Sequence, residues 1–371
     1  MVDLYGQYVR LKDEIDQAIQ EVIETSAFIN GPAVRTFTRH LSDYTGARYV
    51  IPCGNGTDAL QAALASLHLQ PGDEVLVPDF TFIATVETVA LLNLTPVIID
   101  VDPDTFLIDP ASIEKYITPK TKAIIPVHLF GQCVDMAPLL KVAGKYDLKV
   151  IEDAAQALGS WYTFPDGTRK MAGTMGDIGC TSFFPSKNLG AFGDGGAVFT
   201  DDEALACTIR SYVNHGTQKK YYHKQIGINS RLDTLQAAIL DVKLSHLDEF
   251  IEARQQVAAW YDKHLGSFPF LQIPARAPNT THTFHQYTVV TRGIDRRHLM
   301  NYLKEAGIPS MIYYPLPMHR QEAFSGFPFY NRSFPVAEKL CNTVMSLPAH
   351  TEMDEEQLDY ITTYIKNYQN G

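Results

Sequence analysis

One lysine near the middle of the chain stands in surroundings that suggest burial. Residues 180–184 form a short, β-rich apolar run, Lys187 follows it closely, and residues 189–199 are rich in glycine and then apolar again. Burial disfavours the charged amine and lowers its pKa, which makes it a nucleophile able to form an imine. A solvated loop lysine is the commoner case, so the interpretation of Lys187 depends on its neighbours.

A glycine-containing motif, Gly-Asn-Gly-Thr-Asp-Ala at residues 54–59, lies between a predicted strand and a predicted helix. Free N–H groups and the helix dipole at such a start favour an anion, most naturally phosphate. The motif also matches a dinucleotide fingerprint, which requires an acidic residue near the end of the next strand. Glu74 begins that strand and Asp79 comes late. Capping by Asn55 or Thr57 stays open as a purely structural alternative.

Polar and aromatic residues follow other predicted strands. Asp153 comes directly after the apolar strand at residues 149–152. A carboxylate there can keep a pyridinium nitrogen protonated, which makes a pyridoxal ring an electron sink. Gln156 could reach the 3-oxygen of such a ring, Phe82 could stack on it, and Ser182 offers a hydroxyl for a phosphate. Helix capping by Asp153 and a core position for Phe82 remain alternatives.

Short apolar runs alternate with amphipathic segments over the first 200 residues. This alternation predicts an α/β fold with a mainly parallel sheet covered on both faces, in which ligands bind at the carboxyl ends of the strands. Strands are predicted at residues 48–52, 74–78, 96–100, 123–127, 149–152, 179–184 and 197–200, and helices at residues 10–25, 33–44, 57–67 and 82–92.

From residue 230 the pattern changes to long helices and few strands. We therefore predict a large domain over residues 1–245 and a smaller α+β domain over residues 246–371. In the second part, helices are predicted at residues 232–259 (one or two), 296–306, 336–342 and 354–368, and strands at residues 285–290 and 310–314.

Composition restricts the classes of function. The chain has 371 residues, is 45% hydrophobic and 20% charged, and carries a net charge of −11, which disfavours binding to nucleic acid. It has no apolar run of the roughly 20 residues that cross a membrane. Residues 1–7 have neither the basic nor the apolar region typical of a secretory leader, so we do not expect secretion. The five cysteines are scattered without a C-x-x-C motif, which favours a reducing, cytoplasmic location and argues against structural zinc or another metal.

Four motifs occur in one order along the chain: Gly-Asn-Gly-Thr-Asp at 54–58, Glu-Asp-Ala-Ala-Gln at 152–156, Ser-Phe-Phe-Pro-Ser-Lys at 182–187 with Gly-Asp-Gly-Gly at 193–196, and Asn-Ser-Arg-Leu-Asp at 229–233. Together they resemble the DegT/DnrJ/EryC1/StrS sugar aminotransferases over nearly the whole chain. The resemblance implies pyridoxal 5'-phosphate as cofactor and the aspartate-aminotransferase fold, with a three-layer α/β/α large domain.

The resemblance implies a role for each motif residue. Lys187 would bind the cofactor covalently and move a proton between cofactor and substrate carbons. Asp153 would hold the pyridine nitrogen and Gln156 the 3-oxygen. The other implied cofactor residues are Phe82 and Ala155 on opposite ring faces, Gly56, Thr57 and Ser182 at the phosphate, and Asn229 from a neighbouring subunit. A homodimer with shared sites follows, and pyridoxamine phosphate would carry the amino group between half-reactions.

The family's substrates are nucleotide-linked keto sugars, and glutamate is its usual amino donor. The basic, aromatic segment at residues 215–224 suits a pyrophosphate and a base through Lys219, Tyr222 and His223, although a solvated charged loop is an alternative. Arg231 resembles the arginine that would meet the sugar carboxylate in a 3-keto hexuronate enzyme. We therefore expect amination at C3 for amino-sugar and polysaccharide biosynthesis, such as that of lipopolysaccharide O-antigen.

Two further residues bear on the substrate. Many relatives have His-Tyr-Pro where this chain has Tyr313 followed by Tyr-Pro, whereas His319 matches the relatives. Relatives that act as dehydratases carry histidine at the position of Lys187, so the lysine favours transamination. A C4 aminotransferase, a cyclitol-ketone aminotransferase and, more remotely, a pyridoxal-phosphate-binding regulator remain alternatives.

Overall fold

The computed structural model describes residues 1–219 and 221–368. The α-helices are α1 (Leu4–Arg10), α2 (Lys12–Thr25), α3 (Pro32–Thr45), α4 (Gly56–Ser66), α5 (Ala84–Leu91), α6 (Met136–Tyr146), α7 (Glu203–Tyr212), α8 (Thr234–Ser245), α9 (Leu247–Leu265), α10 (Arg296–Glu305), α11 (Pro335–Thr343) and α12 (Glu355–Lys366). Short 3-10 helices lie at Pro110–Tyr116, Leu129–Gly131, Met318–Arg320 and Glu322–Phe324.

The strands form one large sheet and three small ones. They are β1 (Tyr49–Cys53), β2 (Glu74–Pro78), β3 (Thr95–Ile99), β4 (Thr121–Ile124), β5 (Lys149–Asp153), β6 (Trp161–Thr163), β7 (Arg169–Met171), β8 (Ile178–Ser182), β9 (Gly196–Thr200), β10 (Thr217–Lys219), β11 (Tyr222–His223), β12 (Leu271–Gln272), β13 (Tyr287–Thr291) and β14 (Val344–Leu347). The large sheet has the order β1-β9-β8-β5-β4-β2-β3, and only β9 runs antiparallel to its neighbours.

The large sheet is buried on both faces. Neighbouring residues of β9 belong to different apolar clusters: Val198 packs with α4, α5, α6 and α7, whereas Ala197 and Phe199 pack with α2, α3 and α8. In β1, Ile51 and Val50 divide in the same way. Because successive side chains of a strand point to opposite faces, the sheet lies between two helical layers, which confirms the predicted three-layer α/β/α architecture.

The C-terminal part has an apolar core of its own. Residues of α9, α10, α12, β13 and β14 form this third cluster, and β12, β13 and β14 make a three-stranded antiparallel sheet. The segment at 318–344 instead packs on the core of the large sheet through residues such as Met318 and Leu340. A smaller α+β unit is therefore present, while the boundary between residues 245 and 246 stays a prediction.

Most predicted elements are present, with two differences. The helix predicted at residues 10–25 is α2, which begins at Lys12, and a separate short helix, α1, precedes it and was not predicted. The strand predicted at residues 310–314 is wrong: it makes only an isolated bridge from Met311 to Ser346, because the chain then turns towards the large sheet, where Met318 N–H donates to the carbonyl of Asp79 at 3.0 Å. Within the described residues, no helix is long and apolar enough to cross a membrane.

A buried arginine links three backbone segments of the C-terminal unit. Arg254 in α9 is 4% exposed, and its Nη1 donates to the carbonyls of Phe284 at 3.2 Å, His285 at 3.4 Å and Ala349 at 2.7 Å. Burial lowers the pKa of the guanidinium to about 10, because the charged form loses hydration. The three carbonyls replace part of that hydration, so the side chain stabilises the unit only while it can donate.

We expect Arg254→Met to lower the urea midpoint of unfolding, with a loss of ~2–4 kcal/mol, because buried carbonyls lose their donor. Arg297→Met on the exposed surface of α10 is the matched control and should change stability by less than about 0.5 kcal/mol. Equal losses in the two variants would contradict the role given to Arg254.

Candidate active site

A cavity of about 570 Å³ opens at the carboxyl edge of the large sheet. Its wall comes from the loops after β1, β2, β5 and β8 and from the segment around residues 285 and 313 of the C-terminal part. The predicted site residues that line it are Gly56, Thr57, Phe82, Asp153, Ala155, Gln156, Ser182, Lys187 and Tyr313. The sheet therefore brings together residues that are up to 257 positions apart (313 − 56).

The start of α4 forms an anion-binding corner of the cavity. Asn55 caps the helix, since its Oδ1 accepts from the N–H of Asp58 at 2.8 Å. A Cβ added to Gly56 would lie 2.7 Å from Ser182 Cβ, and one added to Gly196 would lie 2.5 Å from the backbone of Asn55. Both glycines therefore allow the helix start to approach the Ser182 hydroxyl, an arrangement that suits a phosphate.

Asp153 at the end of β5 presents a buried carboxylate to the cavity. It is 6% exposed, and its Oδ2 accepts from Thr85 Oγ1 at 2.8 Å while Oδ1 accepts from the N–H of Ala155 at 3.2 Å. Thr81 in turn lies 3.1 Å from Thr85, hydroxyl to hydroxyl. A buried carboxylate of this kind is stabilised by a cationic partner, and a protonated ring nitrogen would supply one.

The neighbouring carboxylate, Glu152, fixes the same strand end from the opposite side. It is fully buried, accepts three N–H groups of the 173–176 segment, and lies 2.7 Å from Nε2 of His128. The N–H of Val134 donates to Nδ1 of His128, so the imidazole carries its proton on Nε2 and donates it to Glu152. His128 was not predicted from the sequence, because no local sequence pattern indicates its contact with Glu152.

Lys187 lies on the cavity wall, half-buried. Burial lowers the pKa of its amine to about 8, and the negative charge of Asp153 opposes part of that effect. A second lysine supports this loop: Lys243 of α8 is 2% exposed and its Nζ donates to the carbonyl of Gly190. The amine of Lys187 is thus prepared to act as a nucleophile and a proton carrier near neutral pH.

Gln156 is held in a single orientation. The N–H of Phe130 donates to its Oε1 at 2.8 Å, and its Nε2 donates to the hydroxyl of Tyr314 at 2.9 Å. Burial raises the pKa of Tyr314, so it stays a neutral phenol, and its ring lies 6.2 Å from that of Phe82. Tyr314 is a cavity residue that sequence analysis missed, although the adjacent Tyr313 was predicted.

Asn229 and Arg231 lie beside the cavity without lining it. Asn229 is exposed and bridges to Asn214, and Arg231 is half-buried. Between them, the hydroxyl of Ser230 accepts from the N–H of Gly54 at 2.8 Å and donates to Asp58 at 2.7 Å. This contact anchors the 229–231 segment next to the start of α4.

The predicted nucleotide residues lie on an exposed hairpin formed by β10 and β11. Lys219, Tyr222 and His223 are all exposed, and Lys219 Nζ lies 5.4 Å from the ring centroid of Tyr222. Lys220, which belongs to the same basic segment, lies outside the described residues. None of the three described residues lines the cavity of this subunit.

His319 is placed differently from its predicted role in substrate binding. Its side chain is fully buried, and its Nδ1 lies 2.6 Å from Asp79 while its Nε2 lies 3.1 Å from Glu338. It does not line the cavity, so the structure does not bring it together with Lys187 and Asp153. The reason is that the chain turns towards the large sheet after residue 314, where Met318 and His319 both bond to Asp79.

These contacts fit pyridoxal 5'-phosphate. The corner at Gly56 and Ser182 can hold its phosphate, Asp153 its ring nitrogen, and Lys187 its aldehyde carbon, while Phe82 offers a flat apolar surface. Fold and cavity together define a pyridoxal-phosphate enzyme of the aspartate-aminotransferase type.

Comparison with known proteins identifies the family. Residues 9–366 match the DegT/DnrJ/EryC1/StrS aminotransferase family, and the chain belongs to it. The UDP-2-acetamido-2-deoxy-3-oxo-D-glucuronate aminotransferase of Pseudomonas aeruginosa is 45% identical over 99% of both chains. The UDP-N-acetyl-3-dehydro-alpha-D-glucosamine 3-aminotransferase of Acidithiobacillus ferrooxidans is 43% identical over 100% of this chain and 98% of its own. DesV of S. venezuelae superposes with a TM-score of 0.93 at 38% identity, covering 98% of this chain and 96% of its own.

Membership confirms the expectation of an aminotransferase that uses pyridoxal 5'-phosphate. The reading of residues 54–59 as a dinucleotide fingerprint is thereby overturned, because their helix start belongs to the cavity of this cofactor. Asn55 also caps the helix, so the motif has both the structural role and the ligand-binding role that the sequence suggested.

We expect Lys187 in the cofactor-free protein to lose its proton near pH 8, because burial lowers its pKa to about 8. Acetylation with acetic anhydride across a pH series, followed by peptide mass mapping, measures that midpoint. Asp153→Asn removes the charge that opposes the shift, so its midpoint should be lower still. A midpoint near the ordinary 10.5 in the unsubstituted protein would contradict the buried environment of the amine.

Proposed function

We propose that this aminotransferase moves an amino group from glutamate to C3 of a nucleotide-linked 3-keto sugar, a hexose or hexuronate. The observation that carries the proposal is the shared cavity of Lys187 and Asp153 beside the helix start at Gly56. Two relatives at 45% and 43% identity are named for sugars oxidised at C3, which supports C3 over C4. The product would enter amino-sugar and polysaccharide biosynthesis, such as that of lipopolysaccharide.

Each cavity residue has a distinct task in this proposal. Pyridoxal phosphate, when bound, supplies an electrophilic carbon and an electron sink. Lys187 provides a neutral amine because its pKa is lowered to about 8, and its Nζ moves the proton between carbon atoms. Asp153 keeps the ring nitrogen protonated, and Gln156 donates to the 3-oxygen. Phe82 and Ala155 enclose the ring, while Gly56, Thr57 and Ser182 hold the phosphate.

We further propose a homodimer in which each subunit completes the site of the other. Asn229 and the hairpin residues Lys219, Tyr222 and His223 are exposed, which leaves them available to a partner's cavity. Ile226 in the same segment is 94% exposed, and apolar side chains so exposed are typical of an interaction surface. In the dimer, Asn229 would reach the partner's cofactor phosphate, and the hairpin would bind the nucleotide.

We also propose that the protein acts in the cytoplasm and that its chain divides into two domains. All five cysteines are free, and four of them are buried, which supports function in the reducing cytoplasm. We place the boundary between the domains at residues 245 and 246, because α8 ends at Ser245 and α9 begins at Leu247.

Lys187→Ala should abolish amino transfer, because the variant lacks the amine that bonds the cofactor and carries the proton. The assay incubates holoenzyme with glutamate and either a 3-keto or a 4-keto nucleotide sugar, and detects the amino sugar by mass spectrometry. Lys12→Ala, on the exposed surface of α2, is the control and should retain turnover. Undiminished turnover in Lys187→Ala would disprove the catalytic assignment, and product from the 4-keto sugar alone would shift the proposal to C4.

Arg231→Gln should raise KM at least tenfold, or ~1.4 kcal/mol, for a 3-keto hexuronate, because a carboxylate loses its charged partner. The matching 3-keto hexose lacks that carboxylate and should change little. The ratio of the two KM values in variant and wild type is the measurement. An equal change for both sugars would show that Arg231 does not recognise the carboxylate.

A further inference from the structure

A fully buried histidine, His319, lies between two carboxylates that do not line the cavity. Asp79 and the side chain of His319 have no exposed surface, and Asp79 Oδ2 lies 2.6 Å from His319 Nδ1. Glu338 Oε1 lies 3.1 Å from the other ring nitrogen, Nε2. The N–H of His319 also donates to Asp79 Oδ1 at 2.8 Å, so Asp79 holds both the backbone and the ring of this residue.

The contacts determine the charge of the ring. A neutral imidazole has one N–H and one acceptor nitrogen, whereas a carboxylate offers only acceptors when ionised. Burial raises the pKa of Asp79, and the hydrogen bond and charge of His319 oppose that rise. When both carboxylates are ionised, His319 carries two N–H groups and one positive charge. Arg320 lies 3.6 Å from Glu338, so the two cations and two anions of the cluster balance.

This cluster joins the two halves of the cavity wall. Asp79 directly follows β2 and precedes Thr81 and Phe82, which line the cavity. His319 follows Tyr313 and Tyr314, which line it from the C-terminal part. The carbonyl of Asp79 also accepts from Met318 N–H at 3.0 Å, so one residue fixes the spacing between the two segments.

Aromatic rings of the two segments lie close to one another. Tyr314 lies 6.0 Å from Phe80 and 6.2 Å from Phe82, measured between ring centroids. Tyr314 also accepts the hydrogen bond of Gln156 at 2.9 Å. A displacement of the segment at 313–319 would therefore disturb both the proposed stacking surface and the orientation of Gln156.

We propose that His319 is a positioning residue: as an imidazolium bound to Asp79, it holds the Tyr313–Tyr314 wall against Phe82 and so shapes the sites of the cofactor ring and the sugar. The contact with Glu338 has a different task. Glu338 is the first-turn acid of α11, and its Oε1 also accepts from the N–H of Phe334 and the hydroxyl of Ser333, both at 3.3 Å. It anchors that helix and the surface loop before it.

Two substitutions separate these contacts. In His319→Asn the amide nitrogen lies near the position of Nδ1 and can still donate to Asp79, whereas in His319→Gln it lies near Nε2 and can donate only to Glu338. Both variants lose the same positive charge, so their difference isolates the contact with Asp79. The measurements are the dissociation constant of pyridoxal phosphate, the KM for the keto sugar and the thermal midpoint of unfolding.

We expect His319→Gln to weaken cofactor binding and raise the sugar KM, each about tenfold, the scale expected for the loss of a charged hydrogen bond. His319→Asn should change each by less than about threefold. If His319→Gln does not fold, Asp79→Asn removes the same ion pair and should give the same tenfold changes, and Glu338→Gln should leave both constants near their wild-type values.

Other outcomes would overturn the proposal. Equal loss of thermal stability in the two His319 variants, with both constants unchanged, would indicate a purely structural cluster. An equal rise in sugar KM with unchanged cofactor affinity would indicate that His319 contacts the substrate. The inference rests on the proposed function, but cofactor affinity tests it separately: a wild-type protein that aminates no keto sugar would refute the function while leaving that comparison valid.

Discussion

The structure depends on burying an amine and a carboxylate at one cavity. Lys187 and Asp153 each carry a charge that is costly away from water, and Asp153 opposes the lowering of the lysine pKa. Neither residue could hold its place on a flexible loop. Asp153 is the last residue of β5 and Lys187 follows the end of β8, and both strands lie in the centre of a seven-stranded sheet. The cavity also requires glycine at positions 56 and 196, because a side chain at either would separate the helix start from Ser182.

Local pattern predicted what depends on strand ends, and little else. Lys187, Asp153 and Ser182 each follow an apolar run, and parallel strands bring such positions to one edge. Tyr314, His128 and His285 line or support the cavity through contacts distant in sequence, which no periodicity records. The strand expected at residues 310–314 failed for a similar reason, since Asp79 draws the chain away from β14.

The part of the site that we propose a partner subunit to complete differs in exposure from the cavity. Its residues, Asn229 and those of the β10–β11 hairpin, are exposed, whereas most of the cofactor residues in the cavity are half-buried and Asp153 and Gln156 are buried. Sequence motifs predicted both groups, because a motif records residue types and spacing but not which subunit's cavity a side chain enters. Ser230 provides the link: its hydrogen bonds to Gly54 and Asp58 place the exposed segment beside the helix start.

In three buried histidines, the local contacts of each ring determine its protonation state, rather than the chain's net charge of −11. His128 accepts an N–H at Nδ1 and donates to Glu152, so it is neutral despite a carboxylate neighbour. His319 has a carboxylate at each nitrogen, and we propose that it is charged. His285 lines the cavity, where burial, then Lys187 and Arg254, lower its pKa well below the ordinary value. Its neutrality matters for Lys187, because an imidazolium at that position would repel the protonated amine and disfavour the proton-carrying form that transamination requires.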